Sequence, residues 1–277
     1  MLEANKTSPA GIWLNAHAFA EHVLGNGRAL PWGDVVEFSE AYKKLQGILQ
    51  VDRISVPLMG FLDNWLESNP QVLQRISGKN RVRFAIKKLL TDESLRQSMT
   101  EWMTACCAVV EADLLLEIPS NTALILWAHT RANPGVDTEP LGELDVDSCS
   151  VYLADTVRHL KPAGIAGVVS TVSDADLKAG AREELYRPIA NVADNYRWVY
   201  AFRKPVASGS FMASGRYCLG DDRCSDDAGL ISLPAEFWRT DAESPPQPDV
   251  EWIYSELPAF AEPETVRSNI ALLRNWE

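Results

Sequence analysis

A chain of 277 residues, 46 % hydrophobic and 23 % charged, can bury a large core and has the make-up of an ordinary globular protein. Its 38 Asp and Glu outweigh 26 Lys and Arg; the net charge of −12 repels a phosphate backbone and argues against nucleic acid as a partner. No apolar run approaches the roughly 20 residues of a membrane span, and five cysteines in no framework spacing argue against a disulfide scaffold.

The chain begins "MLEANKTSPAG", without the basic start and apolar run of a secretory signal, so a cytoplasmic protein is expected. The first predicted strand is "GIWLNA", 11 to 16, followed by a short helix carrying His22. "WGDVVEFSEAYKKLQGIL" then spaces Val35, Phe38, Tyr42, Leu45 and Leu49 near the helical period, with Asp34 as its cap. "DRISVPLM", 52 to 59, is the second strand, and extra helix is expected between 60 and 110. Within that region "SGKNRVRFAIKKLL", 77 to 90, gathers the basic residues and reads as a solvated helix face. "DESLRQSMTEWMTACCAVVEA" opens with Asp92 as N-cap and Glu93 in its first turn.

"ADLLLEIP", 112 to 119, is the third strand and the oddest stretch. Leu114, Leu115, Leu116 and Ile118 belong in an interior, yet Glu117 stands among them. A carboxylate there is costly unless it is paired or used. The helix "DVDSCSVYLADTVRHLKPAG" follows, then strands "GIAGVVSTV" (164 to 172), "RWVYAFR" (197 to 203), "GLISLP" (229 to 234) and "EWIYSEL" (251 to 257), and a closing helix from 262 to 276. The strands lack polar alternation, as strands buried on both faces do. Strand and helix alternate throughout, which predicts a single α/β domain over 1 to 277, a (β/α) barrel, regular or irregular, with an open doubly wound sheet as the alternative. No Gly-x-Gly-x-x-Gly follows the first strand to favour a dinucleotide fold.

Ligands in such folds sit beyond the carboxyl ends of the strands. That rule nominates Asn15 and His17, Glu117, Ser173, Arg203, Tyr254 and Glu256. Glu117 can be a general base whose apolar walls raise its pKa, or can hold an Arg or a substrate nitrogen. His17 and His129 are the best-placed histidines for proton transfer; His159 reads as a helix-end partner. Arg131, Arg197, Arg203 and Arg216 offer forks for a substrate carboxylate, and nearby Trp127, Tyr196, Trp198 and Tyr200 suggest an aromatic or otherwise apolar acid. No His-x-His, Cys-x-x-Cys or His-Glu-x-x-His spacing marks a metal site. Cys218 and Cys224 flank an acidic loop in no standard zinc pattern, and "SGSFMASGR", 208 to 216, reads as a surface loop. The hydrolase elbow and the Walker loop are absent.

"LLLEIPSN", then "YLADTVRHLKPAGIAGVVSTVSD", then "WIYSELP…EPETVRSNIALL" resemble the barrel of the uroporphyrinogen decarboxylase and cobalamin-independent methionine synthase group. The resemblance covers the carboxyl-terminal two-thirds and implies a barrel. The methionine synthase branch holds zinc through His-x-Cys and a later Cys, and no His-x-Cys exists here. The decarboxylase branch carries an Arg-rich amino-terminal segment, where this chain has only Arg28. What the residues and the resemblance together imply is a metal-independent, cofactor-free enzyme, a decarboxylase-like lyase or a hydrolase, acting on a small aromatic or cyclic carboxylic acid. Glu117, His129 and His17 would handle protons. Arg203 would hold the carboxylate, with Asn15, Ser173, Tyr254, Glu256 and Arg216 as further substrate contacts. The alternatives are a metal-dependent barrel enzyme of methyltransferase or hydrolase type, using His17, Glu117 and Cys218 or Asp residues, and a non-catalytic binding barrel. A homo-oligomer is left open.

Overall fold

The run Leu114-Leu115-Leu116-Glu117-Ile118 splits by alternation once the chain is folded. Leu114, Leu116 and Ile118 face outward into one apolar cluster beneath the helices, while Leu115 faces inward into a second. The same division runs through most strands of the computed structural model, which describes residues 10–204, 217–219, 229–239 and 250–274. The segment 208 to 216 with Arg216, the Cys224 part of the acidic loop and the proline-rich stretch 241 to 249 lie outside the described residues.

The strands are β1 (Gly11–Asn15), β2 (Arg53–Pro57), β3 (Asp113–Ile118), β4 (Gly167–Thr171), β5 (Val199–Arg203), β6 (Tyr217–Leu219), β7 (Leu230–Leu233) and β8 (Trp252–Glu256). They form one eight-stranded sheet in the order β6-β5-β4-β3-β2-β1-β8-β7. Every described pair is parallel. The two end strands, β6 and β7, lie beside each other without a shared ladder, so the sheet curls into a nearly closed α/β barrel with its seam there. β6 is a strand that the sequence reading lacks. The others are shorter than expected where the backbone turns: Gly164 and Arg197 take left-handed conformations just before β4 and β5, and Leu58 and Met59 already belong to a helix.

Helices cover the outside. α1 (His17–Val23) and α2 (Val35–Leu49) follow β1. Between β2 and β3 the chain makes α3 (Leu58–Ser68), α4 (Pro70–Ile76), α5 (Arg83–Leu90) and α6 (Glu93–Val109), which is the extra helix expected between 60 and 110. α7 (Asn121–Ala132) and α8 (Glu143–Arg158) link β3 to β4; α9 (Asp174–Lys178) and α10 (Arg187–Tyr196) link β4 to β5; α11 (Pro263–Arg274) closes the chain. α2 packs on α6 and α11, and α8 on α10, as neighbours in a ring do. α5 lies against α7 and α8 as an added layer. Among the described residues no helix is long and apolar enough to cross a membrane.

Asp34 caps α2 as expected, accepting from the N–H groups of Val36 at 2.9 Å and Glu37 at 3.0 Å. Asp34→Ala leaves those donors without their carboxylate partner and should cost about 1 kcal/mol in urea unfolding. A cost of zero would show that water replaces the cap fully.

Inside the barrel the side chains stack in layers. The middle layer holds Trp13, Leu115, Val169, Ala201, Leu219 and Tyr254. Trp13 meets Tyr254 edge-on at 5.6 Å and donates from Nε1 to Ser55 Oγ at 3.0 Å. One layer toward the strand amino ends, the Arg53 guanidinium lies 3.4 Å over the Trp252 ring, and that ring fills the space above Gly11 where a Cβ would stand 2.5 Å away. That end of the barrel is plugged. Two residues beyond the middle layer, at the carboxyl ends, the inward positions are Asn15, Pro57, Glu117, Thr171, Arg203 and Glu256.

Candidate active site at the carboxyl-terminal mouth

The upper layer of the barrel is polar because three of its side chains pair with one another. The Arg203 guanidinium grips Glu256 with two bonds, Nε to Oε1 at 2.5 Å and Nη2 to Oε2 at 2.7 Å. Its Nη1 turns the other way and donates to Glu117 Oε1 at 2.9 Å. Asn15 Nδ2 donates to the second Glu117 oxygen at 2.8 Å. Glu117 is 8 % exposed, so its cost of burial is met by one cation and one amide. Strand register makes this possible: Asn15 stands opposite Glu256 across β1 and β8, and Arg203 ends the strand beside Thr171.

Burial pushes the Glu117 carboxyl above its ordinary pKa; the Arg203 charge opposes this, and the nearby Glu256 charge adds to it. For Arg203, burial alone would lower the pKa, but the hydrogen bonds to Glu256 and the charges of both carboxylates hold it above the usual value. Tyr254, 2 % exposed in the layer below, is raised well above its ordinary value by burial and then by Glu256 and Glu117.

The strand-end residues nominated by the sequence divide here. Asn15, Glu117, Arg203 and Glu256 come together, with Tyr254 beneath them. His17 begins α1, two residues past Asn15 at the same strand end. Its Nδ1 lies 3.1 Å from the Tyr42 hydroxyl and its Nε2 3.3 Å from Glu21. Burial lowers the His17 pKa, against the raising effect of Glu21.

Ser173 does something other than line the site. It caps α9: its Oγ accepts from Asp176 N at 3.2 Å and donates to Asp176 Oδ2 at 2.9 Å. His129 is not part of the cluster. α7 carries it nine residues past the Ser120 cap, about 13 Å along the axis, where it is fully buried and its ring nitrogens have no hydrogen-bond partner among the described residues. Arg131 pairs with Asp63 at 2.5 Å on the outside of α7. His22 is exposed, and His159 bonds the Asp155 carbonyl at its own helix end.

Tyr42 and Glu21 are members of this region that the sequence reading did not single out for chemistry. Tyr42 hides in the apolar stripe of α2, and Glu21 shows itself only by its i, i+4 spacing from His17. Around them the loop before α2 seats Trp32 between His17 and Phe38, with ring centroids 5.3 Å and 4.4 Å away. The Trp32 ring rests on Gly60 so closely that a Cβ there would stand 2.2 Å from it. Gly60→Ala must displace the indole, and should destabilise the fold by about 1–3 kcal/mol, read as a fall in Tm.

Among the described residues no group of three or more His, Cys, Asp or Glu side chains is arranged to hold a metal ion; His17, Glu117 and Cys218 form no such group. A surface groove bordered by Lys43, Gln50, Asp52, Asp113 and Arg274 opens at the strand amino ends, where Asp52 accepts from Ile12 N–H at 2.8 Å. That is the end where barrels of this type carry stability and not chemistry.

The sequence matches no known family model and no curated protein. A solved structure described as a sugar phosphate isomerase/epimerase from Parabacteroides distasonis is similar at 11 % identity, over 99 % of this chain and 97 % of that one, with a TM-score of 0.40. The barrel assignment rests on the strand order and pairing themselves. The class that fold and site define is an α/β barrel with a carboxylate–guanidinium cluster at its carboxyl-terminal mouth.

Proposed function

We propose that the protein is an enzyme that moves protons on a small, uncharged substrate bearing hydroxyl or carbonyl groups, with Glu117 as the general acid–base. The observation that carries this reading is the Glu117 carboxyl: inward-facing at the end of β3, nearly buried, oriented from both oxygens, and raised in pKa by its burial. Each of these is what a proton-transfer group requires. Arg203, already bonded to both carboxylates, orients Glu117 and offers its remaining N–H groups to a substrate oxygen.

The charge of the mouth sets the substrate class. Two glutamates face one arginine there. An incoming carboxylate meets two glutamate charges and an arginine already ion-paired to both, so the aromatic-acid reading loses its counter-charge. A neutral hydroxy-carbonyl compound has no such conflict, and its α C–H is the type of proton a glutamate of raised pKa removes.

The test is solvent exchange. Aldoses, ketoses, hydroxyketones and, as a contrast, aromatic acids are incubated with the protein in D₂O and followed by proton NMR. Loss of a carbon-bound proton signal from a neutral hydroxy-carbonyl compound is the expected result, and it should vanish with Glu117→Gln. Release of carbon dioxide from an aromatic acid, with no exchange elsewhere in the panel, would overturn the reading.

A further inference from the structure

α8 buries one side and exposes the other. Val146, Cys149, Leu153 and Val157 face the core. On the opposite side Leu144, 72 % exposed, and Val151, 47 % exposed, stand two turns apart on one ridge. The ion pair of Arg158 with Asp155 ends the ridge. Its two flanks are opposite in charge. On one flank Arg83 of α5 donates to the Leu144 carbonyl at 3.1 Å and to Ser148 Oγ at 2.9 Å, and Lys87, four residues on, lies 5.8 Å from the Tyr152 ring centre. Asp145 answers Arg83 at 2.9 Å, but the edge stays cationic through Lys87 and the exposed Arg81. These cations belong to a stretch, 68 to 91, that holds no acidic residue in a protein with 38 of them. On the other flank stand Glu143 and, one turn on, Asp147, beside the 3₁₀ turn Glu183–Tyr186. Arg182 joins the two, pairing with Glu143 and with Glu184, the latter at 3.7 Å, and leaves that edge anionic.

We propose that a second copy of the chain docks on this face, as a two-fold dimer whose axis runs along the α8 ridge. A two-fold interface brings one patch against itself. Charge separates the two ways of doing so. An axis across α8 sets the α5 cations of one protomer against those of its partner, and carboxylates against carboxylates. An axis along α8 sets the α5 cations of each protomer against the Glu143, Asp147 and Glu184 edge of the other. It also lays Leu144 on Leu144 and Val151 on Val151, with the two α8 helices parallel. Only this second arrangement attracts on both flanks. It gives an apolar centre inside a charged rim, as specific interfaces have. The 16 residues of α8 span about 24 Å, and α5 and α10 lie on either side of it. With helices roughly 10 Å apart, the face approaches the roughly 800 Å² per partner of a standard interface. An anionic membrane suits it less, because the carboxylate edge would meet the lipid together with the cations. The inference concerns the outer surface and does not depend on the chemistry at the mouth.

Sedimentation velocity over a range of protein concentrations decides it. A reversible monomer–dimer equilibrium is expected, with a dissociation constant on the order of 10 µM. It should weaken as salt is raised, as attraction on both flanks requires. Leu144→Asp and Val151→Asp alter exposed side chains, so Tm should hold while each weakens the dimer about tenfold or more. Charge variants test the pairing. Arg81→Glu with Lys87→Glu makes both edges anionic, and Asp147→Lys with Glu184→Lys makes both cationic. Each should be monomeric alone, and an equal mixture of the two should dimerise, since every edge then meets its opposite. A protein that stays monomeric at every concentration overturns the proposal. So does a dimer indifferent to Leu144→Asp and to both charge reversals. A monomer that co-sediments with phosphatidylserine vesicles, and ceases to in Arg81→Glu with Lys87→Glu, overturns it in favour of a lipid surface.

Discussion

Arg203→Met should cost about 2 kcal/mol of stability at neutral pH, between the roughly 3–5 of a broken buried pair and the 1 or less of a surface one. The guanidinium is the only cation among the described residues bonded to either carboxylate of the mouth. Removing it leaves Glu117 nearly buried without its cation, held by the Asn15 amide and with the Glu256 charge still beside it. The loss should depend on pH. Arg203 is the main influence lowering the Glu117 pKa against burial, so without it that pKa rises further. A carboxyl whose folded pKa lies above its unfolded value contributes stability at low pH and loses it as pH rises through the folded value. The deficit of the variant is therefore largest at neutral pH and shrinks as Glu117 takes up its proton. Urea titrations at several pH values read this directly. The double variant with Glu117→Gln removes the stranded charge and should recover part of the loss, which a double-mutant cycle measures. A deficit that is flat with pH would place the role of Arg203 in packing and not in charge.

The barrel was legible in the sequence for a physical reason. Most strands are buried twice, outward under helices and inward in the lumen, so their residues show no polar alternation and the run of apolar side chains marks them. β6 escaped because three residues, Tyr217 to Leu219, are too few to show any pattern. Between 60 and 110 the sequence marked the helix that Asp92 caps and the basic helix face of 77 to 90, but not α3 and α4 as separate pieces. α3 passes into α4 at Asn69 with Pro70 at the first position, a break that relies on local backbone angles more than on composition.

The site was legible as positions and not as partnerships. Asn15, Glu117, Arg203 and Glu256 are all strand ends, which alternation and the carboxyl-end rule suffice to nominate. That Arg203 spends its fork on Glu256, 53 residues away in sequence, depends on barrel stagger, and no short pattern encodes it. The expectation of a free carboxylate clamp came from treating Arg203 alone. His129 illustrates the opposite limit. It follows Glu117 closely in sequence, yet α7 carries it away from the mouth into an apolar setting, because twelve residues of helix cover distance that sequence separation hides. Tyr42 was read correctly as an interior residue of α2, but where its hydroxyl points is a tertiary fact.

The largest effect on activity is expected for Glu117→Gln, a fall of about 10²–10⁴ in the rate of carbon-bound proton exchange, the usual worth of a general acid–base. Stability separates this from damage to the fold. Gln keeps the volume, and its amide oxygen can still accept from Asn15 or Arg203, while the buried charge is gone. Because burial holds the Glu117 pKa above its unfolded value, ionised Glu117 weighs against the folded state as pH rises. The stability of the Gln variant relative to wild type should therefore improve from pH 4 to pH 7, just where exchange is lost. Glu117→Asp keeps an ionisable group but withdraws it by one methylene from Asn15 and Arg203, so it should retain a measurable residue of exchange with its pH profile displaced. Loss of exchange together with a large fall in Tm in both variants would make Glu117 the keystone of the mouth and nothing more. Loss in Gln, partial activity in Asp and intact folding in both is the pattern of a group that carries the proton.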